Sequence, residues 1–139
     1  EKKVLKNLKK SILMIAGTAA QKLGDKLALE QEVMMNISDM IIQTYMLEST
    51  LLKTEKLIAK DGRAAHEEKV SITISFMHST VEEVRKNGKE ALYAIAEGDE
   101  QKMLLMGLKR FTKVQPTNLK EHRRLIATKL ITENTYCFD

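Results

Sequence analysis

Apolar side chains recur along this chain at alternating steps of three and four residues, the spacing that gathers them on one face of an α-helix. Leu5, Leu8, Ile12, Ile15 and Ala19 mark a first helix from about Lys2 to Leu23, which Gly24 can end by turning left-handed. Asp25 is then expected to cap a second helix that runs to about Lys60, before "KDGR" breaks it at Gly62. Within that helix Val33, Ile37, Met40, Thr44, Leu47, Leu51, Thr54 and Ile58 form an uninterrupted seam of the kind that helices packed lengthwise share.

The next segment carries two conflicting patterns. "KVSITISF" alternates apolar and polar residues and is rich in β-branched ones, as a half-buried strand would be. Yet Val70, Ile74, Met77, Val81, Val84, Gly88, Ala91 and Ile95 also step by four and three, and no second strand is on offer to satisfy its backbone. The longer pattern predicts a third helix from about Ala64 to Glu97, with Gly88 letting a neighbouring backbone come close. Asp99 is expected to cap a fourth helix reaching about Lys113. "VQPTNLKE" is a connection, with Asn118 as N-cap and Glu121 in capping-box position for a fifth helix ending near Thr132. The sum is an all-α, antiparallel up-down bundle of about five helices, two of them long, in a single domain over residues 1–139.

Composition supports that architecture and narrows the chemistry. The 139 residues suit one domain, and 43% hydrophobic with 30% charged residues gives a core without losing solubility. One proline and six glycines leave too few turn signals for an all-β chain. The lone Cys137 has no partner for an intramolecular disulfide and agrees with a reducing compartment. Lys2, Lys3, Lys6, Lys9 and Lys10 followed by a short apolar run mimic a signal peptide, but the helical spacing of that run assigns it to the bundle, and it is too short to span a bilayer. The same lysines can rest on anionic lipid. Little binding is expected, because the apolar face beside them is claimed by the bundle. A chain that opens on Glu1 reads as an excised piece of a longer polypeptide.

Candidate catalytic chemistry is thin. No Glu-x-x-His pair precedes His66, His78 or His122, so a di-iron bundle site is not expected, and one cysteine cannot build a zinc site. The six glycines are isolated, so no phosphate-cradling loop is expected. His78 lies between Ser75 and Ser79 without an orienting acid, and no catalytic residue is assigned. The net charge of +4 is concentrated at the two ends, with an acidic middle that can complement them, and the basic tail carries no nucleic-acid recognition motif.

The residues that ask for an explanation lie in "VMMNISDMIIQTYM", 33 to 46. On a helical wheel Met35, Ile42 and Met46 fall opposite the seam, Met34, Ile41 and Tyr45 fill the side between, and only Glu32, Asn36, Asp39 and Gln43 stay polar. Met35, Ile42 and Met46 are therefore the candidate docking surface. Either another helix of this chain covers them, the commoner use of methionine, or they dock on protein outside it. Met35 and Ile42 are expected to be better protected than Met46.

"AGTAAQKLG" (16–24), "EQEVMMNISDMIIQTYMLESTLLKTEKLIAKDG" (30–62) and "NLKEHRRLIATKLI" (118–131) resemble the extra C-terminal helical domain of very-long-chain-type acyl-CoA dehydrogenases, including bacterial fatty-acid-degradation members. The resemblance covers nearly the whole chain, although residues 63 to 115 match mainly as a helix pattern. It implies a non-catalytic structural and assembly domain of a flavoenzyme that oxidises acyl-CoA to 2-enoyl-CoA in fatty-acid β-oxidation. FAD, the catalytic glutamate and the acyl pocket would belong to upstream domains, so no catalytic, cofactor-binding or metal residue is carried over to this chain. The implied partners are those upstream domains, a second copy in a homodimer and an electron-transferring flavoprotein. The implied location is the bacterial cytoplasm, or the mitochondrial inner membrane surface in a eukaryote. The contrasting expectation is a stand-alone helical interaction module.

Overall fold

Two glycines with positive φ, Gly24 at 50° and Gly62 at 86°, end the first two long helices, where a side chain would strain the backbone. The computed structural model describes residues 1–138. Its helices are α1 (Lys2–Leu23), α2 (Gln31–Asp61), α3 (Glu67–Ile95), α4 (Gly98–Phe111) and α5 (Leu119–Glu133). Among the described residues there is no strand. "KVSITISF" lies inside α3, so the long seam overrode the local β preference.

The seams meet as their spacing requires. Every seam residue of α2 is buried except the half-buried Ile58, and every one of α3 except the half-buried Ile74. Leu5, Leu8, Ile15 and Ala19 of α1 complete a single core with Val33, Met40, Leu47, Val81, Val84 and Leu92. Direction is fixed by cross-helix bonds. Lys2 and Lys9 reach Glu55 and Glu48 at 3.1 and 2.6 Å, so α2 descends as α1 rises. The Thr54 and Thr73 hydroxyls meet at 2.9 Å inside the α2/α3 contact, and Thr73 also donates to the Lys69 carbonyl. That sharing lets two polar side chains sit in the core without an orphaned group.

α3 is the hub, in contact with all four other helices, whereas α2 touches only α1 and α3. α4 is fastened by Leu108, its one buried residue, and by Arg85, which donates from Nη2 to the Thr112 carbonyl at 2.6 Å and from Nε to the Thr112 hydroxyl at 3.2 Å. A guanidinium at the C-terminal carbonyl of a helix satisfies its free acceptors and faces the negative end of its dipole. Gly88 does bring a neighbour close, but what approaches is side chain: a Cβ there would lie 2.9 Å from Leu108 Cδ2 and 3.0 Å from Ile15 Cδ1.

The helix starts differ from the capping pattern expected. Residues 24–29 form a 3-10 turn, so Asp25 caps nothing and α2 begins at Gln31. Leu27 packs against the core, which holds this stretch in the tighter turn. α4 starts at Gly98, one residue before Asp99, and α3 starts at Glu67 after a second 3-10 turn, Arg63–His66. Asn118 stands at the N-cap of α5, but its side chain makes no cap bond, and Glu121 lies 3.6 Å from Lys120 instead of closing a capping box.

Candidate docking surface

Because α2 gives one side to α1 and α3 and meets neither α4 nor α5, its other side is left to solvent. Met35, Ile42 and Met46 are 63%, 52% and 48% exposed. Neither α4 nor α5 covers them, because both pack against α3. The expected order of protection is reversed: Met35, near the start of α2, is the most open of the three. Met34, Ile41 and Tyr45 are exposed beside them, and Leu52 extends that row by one further heptad. Leu52 was missed by the sequence reading; its signal is the step of seven from Tyr45. Within the polar strip Asn36 and Gln43 are half-buried, while Glu32 and Asp39 are exposed. Seven large apolar side chains thus lie open on one helix, a grouping of the kind that marks an interaction surface. Unbranched methionines suit it to a partner surface of irregular shape.

The histidines do not form a reaction centre. His66 bonds Asp61 at 2.9 Å at the α2/α3 corner. His122 Nδ1 lies 2.9 Å from the Ser71 hydroxyl, which is almost fully buried under α5. Among the described residues no carboxylate bonds the other imidazole nitrogen, so this pair lacks the orienting acid of a nucleophilic triad and serves to hold α5 on α3. These two residues are far apart in sequence, which is why no local pattern announced them. No group of three metal-ligating side chains occurs among the described residues, and no helix there is long and apolar enough to cross a membrane.

His78 is held below its ordinary pKa of 6.5, first by burial and then by His122, with Glu82 opposing. The folded state therefore resists protonation at a site that the unfolded chain protonates freely near pH 6.5. This contribution to stability is complete above that pH and is lost as pH falls below it towards the depressed folded value. Urea midpoints are expected to drop between pH 7.5 and 5.5. His78→Gln should flatten that slope, and an unchanged slope in the variant would assign it to other groups.

Comparison with known proteins places the whole chain. Residues 7–110 match the family model described as "Acyl-CoA dehydrogenase, C-terminal domain". The chain is 37% identical over 136 residues to a probable acyl-CoA dehydrogenase of Bacillus subtilis (strain 168), covering 98% of this chain and 23% of that protein. It is similar in structure, with a TM-score of 0.96 and 37% identity, to a crystal structure of acyl-CoA dehydrogenase complexed with FAD from Bacillus anthracis, covering 99% of this chain and 24% of that one. The chain thus spans about a quarter of the length of the relatives it matches.

Proposed function

This chain belongs to the C-terminal domain family of acyl-CoA dehydrogenases, and we propose that it is the non-catalytic assembly domain of an FAD-dependent enzyme of the very-long-chain type. In that enzyme the upstream domains hold the flavin, the catalytic base and the acyl chain, and oxidise acyl-CoA to 2-enoyl-CoA in β-oxidation. Electrons leave to an electron-transferring flavoprotein, the enzyme is a homodimer, and it works in the bacterial cytoplasm. The observation that carries this reading is the open face of α2, which gives the domain a large apolar area to bury against the rest of the enzyme.

The residues of this chain do not fit a flavin. A dinucleotide's pyrophosphate is ordinarily cradled by a Gly-rich turn whose backbone N–H groups converge on it. Here the glycines with positive φ, Gly24, Gly62 and Gly98, stand singly at helix ends, and none lines the cleft between α3 and α5 or the one between α1, α3 and α4. No step of the flavin reaction is therefore assigned to these side chains.

The domain should fold alone, because its core closes within the chain. The isolated protein is expected to retain no FAD through desalting at micromolar concentration and to give no acyl-CoA dehydrogenation with FAD supplied. Stoichiometric retention of FAD would overturn the non-catalytic reading.

A further inference from the structure

On α1 two pairs of lysines one heptad apart have opposite fates. Lys2 and Lys9 face α2 and are neutralised by Glu55 and Glu48. Lys3 and Lys10, each one position further on, line a cleft between α1, the middle of α3 and the end of α4 with the α4–α5 connection, which Arg110 and Lys113 also line. None of these four cations is in an ion pair among the described residues. Among the described residues Glu1 is the one carboxylate lining the cleft, and Glu82 stands close enough to His78 to act on it. Two separate segments thus bring positive charge to one concave site of about 1110 Å³, against apolar walls that include Met77 and Phe111. Low-dielectric walls around charge of one sign focus the field and raise the local concentration of anions. His78 lines the same cleft, and its Nε2 is buried without a hydrogen-bond partner.

We propose that this cleft is a binding site for a small diphosphate anion, held between Lys3 and Lys10 on one wall and Arg110 and Lys113 on the other, with His78 at its base. Arg110 supplies the planar fork that takes two phosphate oxygens together, and the lysines act as point charges on the rest. Nε2 of His78, as an N–H donor, gains the partner it lacks. The four cations are all exposed, so binding is weak and strongly salt-dependent. It falls well short of micromolar retention of a dinucleotide.

The probe is pyrophosphate, titrated into the folded protein at low ionic strength while the imidazole resonances of His66, His78 and His122 are followed by NMR. Saturable binding is expected, with a Kd on the order of 0.1 to 1 mM, equivalent to roughly −4 to −5.5 kcal/mol. The His78 titration should move to higher pH, because a bound anion favours the imidazolium, while His66 at the remote α2/α3 corner should not move. The double variant Lys10→Glu with Arg110→Glu should lose at least tenfold in affinity with its melting temperature retained, and Lys10→Gln with Arg110→Gln should fall between. Sulfate at matched ionic strength should compete poorly. Loss of the His78 response, equal shifts at all three histidines, or unchanged affinity in the charge-reversed variant would overturn the proposal.

Discussion

Leu108→Ala is expected to destabilise the domain by about 2–5 kcal/mol, the range for truncating a fully buried leucine. Leu108 is 1% exposed and is the only fully buried side chain of α4, so its loss opens a cavity where that helix meets the core, leaving the partly buried Leu104 and Leu105 to hold it. The site also predicts a coupling. A methyl group on Gly88 would press on Leu108 and Ile15, both of which are buried and have little room to give. Gly88→Ala alone should therefore destabilise, despite a gain in helix propensity of about 1 kcal/mol. In the Leu108→Ala background the same methyl keeps only its contact with Ile15, and Gly88→Ala should become much less destabilising. Urea denaturation of the four proteins closes the cycle. Additivity within about 0.5 kcal/mol would show that the two residues do not share a site.

The second large effect separates folding from assembly. In the isolated domain, Met35→Lys, Ile42→Lys and Met46→Lys together should leave the melting temperature almost unchanged, because exposed substitutions usually act within about 0.5 kcal/mol each and all three sites face solvent. In the full-length enzyme the same changes place three charges in an apolar contact. Central apolar anchors of an interface commonly cost about 2 kcal/mol or more on truncation, so assembly should weaken by roughly two orders of magnitude or more. Light scattering against concentration reads the loss. Unchanged stability together with unchanged assembly would show that this face serves neither folding nor docking. Unfolding of the isolated triple variant would instead make the stripe part of the core.

Much of the bundle was legible because its information is periodic. The seams from Val33 to Thr54 and from Val70 to Ile95 extend over enough turns that they identified the buried faces even where "KVSITISF" pointed to a strand. Helix starts were less legible, because Asp25, Asp99 and Asn118 carry the right side chains for caps while the backbone around Leu27 and Gly98 is set by packing and turn geometry. Tertiary fastenings had no local signal at all: Arg85 reaches Thr112 and Ser71 reaches His122 only once α3 has become the hub. The α2 face was legible as a composition of side chains but not as an exposure. A wheel shows that Met35 and Ile42 lie opposite the seam, but whether α4 or α5 crosses them depends on where those helices pack, and both chose α3.

On the proposed reading α2 presents its outer face to the rest of an acyl-CoA dehydrogenase, and methionine oxidation reports on that face directly. Exposed thioethers are oxidised by dilute peroxide, whereas buried ones are shielded. Met40, fully buried in the same helix, is the protected reference, and Met35 and Met46 are the reporters. In the isolated domain both reporters should be oxidised much faster than Met40, and in the full-length enzyme both should slow towards the Met40 rate. Equal oxidation of Met35 and Met46 in the isolated domain and in the full-length enzyme would contradict the claim.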